Sequence, residues 1–135
     1  MDQSRSALML HREEELLGPI SFKLERQFIR TTRAHGCAEA LEALRRPNPP
    51  QLIVTDLTAM DGDWADVLKL TAKSPVPVNI IVVADQVNMQ RYFDCMEAGA
   101  FDFIVPPVPD AGLRFVIDNA AADVVARRAQ LPRNA

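Results

Sequence analysis

Short aliphatic runs punctuate the chain at Ala7–Leu10, Leu52–Thr55, Asn79–Val83 and Phe101–Val105. They are largely continuous rather than alternating, as expected of strands covered on both faces in a parallel sheet. A weaker run, Phe28–Thr31, predicts a further strand, the second in chain order. Between these runs the apolar period lengthens toward that of a helix. Glu13–Gln27 reads as mostly helical, with Leu17, Ile20, Leu24 and Phe28 on one stripe. Gly18-Pro19 interrupts it. Proline inside a helix costs ~3 kcal/mol, so this helix kinks there or begins late, near Pro19. Cys37–Arg45 predicts a short helix ended by Pro47-Asn48-Pro49-Pro50, and Asp63 can cap a helix over Trp64–Lys73 that breaks before Pro75 and Pro77. Met89, Phe93 and Met96 mark an amphipathic helix that stops near Gly99. Pro109–Arg128 predicts a last helix with Leu113, Val116, Ile117, Ala120, Ala121 and Val124 inward.

Five strand-then-helix units imply one parallel sheet with helices on both faces and right-handed crossovers. A chain of 135 residues accommodates one such domain, over 1–128, with 129–135 as a tail or the start of a linker to an absent output domain. In open sheets of this kind, ligands and chemistry collect at the carboxyl ends of the strands. Those ends are His11-Arg12, Asp56, Ala84-Asp85 and Pro106-Pro107. Asp56 follows a buried β-branched run directly and is the most informative residue. A phosphate acceptor, a metal ligand and a turn residue all fit that position.

Composition narrows the function classes. Hydrophobic content of 48% with 24% charged residues belongs to a folded globule rather than a disordered segment. A net charge of −3 with scattered Lys and Arg gives no nucleic-acid footprint, and Arg26, Arg30 and Arg33 read as a solvated face. No run approaches the ~18 apolar residues of a membrane span, and no signal peptide is visible. Cys37 and Cys95 lie far apart without a Cys-x-x-Cys pair, which fits a reduced, cytoplasmic protein whose cysteines serve as small buried residues. His11 and His35 lack a second ligand at helical or hairpin spacing, and Asp61-Gly62-Asp63 lacks the alternating acids of a calcium loop.

Leu52-Ile-Val-Thr-Asp56-Leu, Asp61-Gly62, Ile80-Ile-Val-Val83 and Glu97-Ala-Gly-Ala-Phe-Asp-Phe-Ile-Val-Pro-Pro107 occur in a telling order. From Pro50 to Ile117 the chain resembles the CheY-like receiver domain of bacterial two-component response regulators; 1–49 match by pattern rather than by motif. The resemblance implies a doubly wound, flavodoxin-like, five-stranded parallel sheet of order 2-1-3-4-5. It also places Asp56 at the position that accepts a phosphoryl group from a histidine kinase. Nucleophile and phosphoryl group are both anionic, so a divalent cation must hold them together. The family supplies two further carboxylates after the first strand, a hydroxyl after the fourth and a lysine after the last. Phe103 falls at the switch-aromatic position, and Pro107 where the family has a cis peptide bond. An ordinary buried strand residue is the alternative for Phe103.

Around Asp56 the pattern fails. His11 and Arg12 replace the acidic pair, Ala84 the hydroxyl and Pro106 the lysine. The loop after Asp56 is also short, so the Thr58 carbonyl need not meet a metal. These departures describe a degenerate receiver, with no metal or cofactor expected. Mg²⁺ enters only if Asp56 is an active acceptor with non-standard ligands, with Glu13 or Glu14 reaching the ion from a longer first strand. Arg12 paired with Asp56 would contribute roughly 1.5–3 kcal/mol if well shielded. Equally, Arg12 points to solvent and Asp56 bonds its own loop. Trp64 is expected over the loop rim, where it serves as a spectroscopic probe.

The expectation is a non-enzymatic, phosphorylation-independent module that binds protein partners, dimerises, or serves an output domain in a longer chain. The expected contact face comprises Gln90, Arg91, Asp94, Glu97, Arg114 and Asp118. An active phosphorelay receiver is the alternative. A flavodoxin-type nucleotide protein needs a glycine- or hydroxyl-rich phosphate loop after the first strand. His11-Arg-Glu-Glu-Glu-Leu16 is neither, and its glutamates would repel a phosphate.

Overall fold

The computed structural model describes residues 5–11, 14–56, 58–59 and 62–131, with the backbone alone for 14–16, 58–59 and 62–64. Its elements are β1 (Ser6–Leu10), α1 (Glu14–Arg26), β2 (Arg30–Ala34), α2 (Cys37–Leu44) and β3 (Leu52–Thr55). The short strands β4 (Thr58–Ala59) and β5 (Gly62–Asp63) follow, then α3 (Trp64–Leu68) and α4 (Leu70–Lys73). The chain continues through β6 (Asn79–Val83), α5 (Met89–Glu97), β7 (Asp102–Ile104) and α6 (Asp110–Ala129).

β2-β1-β3-β6-β7 form one parallel sheet, which is order 2-1-3-4-5 for its five strands. Side-chain alternation divides the apolar strand residues between two cores. Ala7, Met9, Leu52, Val54, Ile81 and Val83 meet Leu17, Ile20 and Leu24 of α1 and Leu113, Ile117, Ala120 and Ala121 of α6. Leu8, Leu10, Ile53, Ile80 and Val82 meet Ala40, Leu44, Val67, Leu70 and Cys95 on the other face. Each fully buried aliphatic side chain stabilises the fold by about 1.5–3 kcal/mol. A register slip by one residue would exchange the two sets, so the pattern fixes the pairing.

Asn79 is a polar residue inside this apolar sheet. Its Nδ2 donates to the Ala120 carbonyl and to Asp123 Oδ2, both at 2.9 Å, and Arg127 Nη2 donates to its Oδ1 at 2.7 Å. Burial therefore leaves neither its side-chain oxygen nor its nitrogen without a partner, and the network ties α6 to β6.

Several boundaries differ from the sequence expectation. The second strand is Arg30–Ala34, not Phe28–Thr31, because α1 ends in a Schellman turn. The Ile29 N–H donates to the Leu24 carbonyl and the Phe28 N–H to the Glu25 carbonyl. Phe28 occupies the left-handed position of that turn, at φ 63°, and is 95% exposed, so it leaves the inward stripe. Pro19 lies inside α1, which starts before it at Glu14. The expected helix over Trp64–Lys73 is divided near Lys69 into α3 and α4. Asp63, expected as its cap, is the last residue of β5, which pairs with β4 in an antiparallel ribbon too short to read from sequence. α6 begins one residue later than expected, after Pro109. Met89 and Phe93 point outward, at 58% and 55% exposure, while Cys95 carries the buried face of α5.

Candidate functional site

Leu10 of β1 pairs with Thr55 of β3, so the next residues, His11 and Asp56, leave adjacent strand ends together. The His11 N–H extends the ladder by donating to the Ala34 carbonyl at 3.2 Å, and its ring lies 6.1 Å from that of His35. The Thr55 hydroxyl donates to the Asp56 carbonyl at 2.7 Å. On the other side of β3, Ala84 follows β6 and donates its N–H to the Ile104 carbonyl at 2.9 Å. His11, Asp56 and Ala84 are all buried, at 4%, 8% and 4% exposure. The central strands thus end in an imidazole, a carboxylate and a methyl group.

Pro106 follows β7, is half-buried, and joins Pro107 through a cis peptide bond. Phe103, half-buried on β7, packs edge-on against Tyr92 of α5 with ring centroids 5.7 Å apart. Arg12 and Glu13 lie outside the described residues, as does the expected Arg12–Asp56 pair; the side chains of Glu14, Thr58 and Trp64 do too. Among the described residues no group of three or more His, Cys, Asp or Glu side chains is placed to hold a metal ion. A hard divalent cation is held by several oxygens. Of the described side chains at these strand ends, Asp56 supplies carboxylate oxygens, His11 an imidazole and Ala84 a methyl group.

Of the six residues of the expected contact face, four lie on α5 and two on α6. On α5, the Gln90 amide donates to Asp94 at 2.9 Å, Arg91 gives its backbone N–H to the Asn88 cap, and Glu97 is exposed. Arg114 and Asp118 are one turn apart on α6 and lie 3.8 Å from each other. Arg114 lines a cleft with Lys23, Arg26 and Gln27, and Asp118 pairs with Arg5 beside β1. What the sequence reading missed is apolar: Val87, Met89 and Phe93 are exposed around Gln90. Met89 and Phe93 stand at i, i+4 spacing, which reads equally as an inward stripe.

Burial pushes the Cys95 thiol up, with Arg91 opposing and Asp94 adding to the shift. The Arg128 guanidinium is lowered by burial and by Arg127 next to it.

No protein-family model matches the chain. Over 91 residues it is 31% identical to the two-component response regulator ORR12 of Oryza sativa subsp. japonica, spanning 66% of this chain and 75% of that protein. The chain belongs to the response-regulator receiver family. The response regulator protein PilR of Pseudomonas aeruginosa is 26% identical over 116 residues, covering 86% of the receiver but only 26% of that protein. In fold, the receiver is similar to the crystal structure of a response regulator receiver domain protein from Clostridium thermocellum. That similarity has a TM-score of 0.73 at 22% identity and covers 88% of this chain and 95% of the other. Receivers are signalling modules of two-component systems. Among the described residues no helix is long and apolar enough to cross a membrane.

Proposed function

We propose that this receiver signals without phosphorylation, through contacts with protein partners. The observation that carries the reading is the set of side chains around the acceptor position. Asp56 is kept and buried at the end of β3, while buried His11 and Ala84 stand where the family uses an acid and a hydroxyl. Pro106 stands where the family uses a lysine. Transfer to a carboxylate needs positive charge on the phosphoryl oxygens and a cation between two anions. The Ala84 side chain offers no hydrogen bond and Pro106 no charge. Asp56 then serves as a structural anion, and neither Mg²⁺ nor another cofactor is required.

The partner surface in this reading is α5 and the loop before it. Gln90, Arg91, Asp94 and Glu97 frame exposed Val87, Met89 and Phe93, and Tyr92 and Phe103 brace the helix against β7. An apolar centre with a polar rim is the anatomy of a protein interface. Its occupant is a second copy, a kinase or an output domain in a longer chain. Size-exclusion chromatography with light scattering, with and without acetyl phosphate and Mg²⁺, tests the reading. We expect one unchanging mass, and weaker self-association or partner capture in Phe93→Ser. A change of mass on adding acetyl phosphate would reject it.

The second reading, an active receiver with unusual ligands, is favoured by the retention of Asp56 itself. It predicts that Trp64 fluorescence responds to Mg²⁺ and that Asp56→Asn abolishes the response. In the first reading Trp64 is silent.

A further inference from the structure

Between α1 and α6 lies a cleft of about 200 Å³ lined by Lys23, Arg26, Gln27, Asp110, Ala111 and Arg114. None of its lining residues is among His11, Asp56, Ala84 and Pro106. Cations come from both walls: Lys23 and Arg26 from α1, Arg114 from α6. Asp110, the anion of this lining, lies 3.4 Å from the Lys23 ammonium, which also donates to the Val108 carbonyl at 2.5 Å. Arg26 is held with its guanidinium carbon 5.8 Å from the centre of the Phe22 ring, and Arg114 lies 3.8 Å from Asp118. Among the described residues, the lining thus carries three cations against one anion in a protein whose net charge is −3. Gln27 adds a second, independent feature. Its Oε1 is buried and accepts no hydrogen bond from the described residues. A buried amide oxygen without a donor is costly, so this atom takes a donor from water or from a ligand that enters the cleft.

We propose that this cleft binds a small organic anion that also carries a hydroxyl or amine donor. The anionic group lies between Arg26 and Arg114, the two cations whose guanidinium forks match a phosphate or carboxylate. The hydroxyl or amine meets Gln27 Oε1. The volume suits a ligand smaller than a nucleotide, since drug-sized sites start at about 300 Å³. A second protein would have to insert a single acidic side chain into so small a cleft.

Glycerol 3-phosphate is a suitable probe because it carries both groups, and inorganic phosphate lacks the aliphatic hydroxyls. Titration of the labelled protein, followed by amide and side-chain NMR signals, reads the site directly. The expected result is saturable shifts confined to Lys23, Arg26, Gln27, Ala111 and Arg114, with the Gln27 side-chain amide among them and inorganic phosphate binding more weakly. Arg26→Gln and Arg114→Gln, both exposed positions that leave the core intact, should each weaken binding about fivefold. Shifts reproduced by sodium chloride at equal ionic strength, or equal binding by both variants, would overturn the proposal. Equal binding of inorganic phosphate, with the Gln27 amide unmoved, would overturn the assigned donor.

Discussion

Arg128 does at one residue what a buried loop junction requires. Its Nε donates to the Pro77 carbonyl at 2.9 Å, Nη1 to Pro49 at 3.1 Å and Nη2 to Pro50 at 2.6 Å. The prolines that follow α2 and α4 have no N–H of their own to offer these carbonyls, so a side chain from the end of α6 supplies the donors. Only a planar fork reaches all three. Arg128→Ala is expected to cost about 2 kcal/mol in urea unfolding, and Arg128→Lys to recover less than half of it. Equal stability of the Arg128→Lys variant and the parent would show that charge, not geometry, matters there. Cys95 carries a pH signature. Its thiol is raised by burial, so the folded state favours the neutral form, and this contribution is complete below the unfolded value of about pH 8.5. It is lost as pH rises through the higher folded value. Between about pH 7 and about pH 10 the parent should lose more stability than Cys95→Ala; parallel losses would remove the thiol as the cause. Residue identity alone announced Asp56 and the substitutions around it. It did not reveal Arg128, whose role depends on loops brought together only by the fold.

At the scale of elements, two helices close with the same turn and different residues. In α5 the Ala100 N–H donates to the Cys95 carbonyl and the Gly99 N–H to Met96, with Gly99 at φ 115°. In α1 the same two bonds surround Phe28 at φ 63°. Glycine takes a positive φ without a Cβ clash, whereas a side chain there costs roughly 1 kcal/mol or more. Phe28→Gly should therefore stabilise the protein in urea unfolding, by up to ~1 kcal/mol after the greater freedom of glycine in the unfolded chain is discounted. A loss of stability would mean that the exposed ring contributes contacts. Pro19 is exposed inside α1 and removes one helical N–H, so Pro19→Ala should stabilise by about 1–3 kcal/mol in the same assay. The sequence made α1 legible through Leu17, Ile20 and Leu24, yet Phe28 extended that stripe falsely and moved the second strand upstream. Aromatic residues are so rarely left-handed that the turn had no signal. The β4–β5 ribbon was invisible for the opposite reason, since two-residue strands have no period to read.

The whole molecule follows from a simpler rule. Continuous apolar runs demanded cover on both faces, and the resulting doubly wound sheet brings His11, Asp56 and Ala84 to one edge. That edge was legible in the strand runs themselves. The exposed apolar residues beside α5 were not, because the sequence leaves the rotation of a helix open. Arg114 lines the cleft beside α1 and Asp118 pairs with Arg5, while Val87, Met89 and Phe93 are exposed on α5 and the loop before it. The central claim is that Asp56 holds its place in the receiver fold without phosphoryl chemistry. Intact-mass spectrometry after incubation with acetyl phosphate and Mg²⁺ tests it most directly. The account predicts an unchanged mass for both the parent and Asp56→Asn; a gain of one phosphoryl group in the parent that disappears in Asp56→Asn would contradict it.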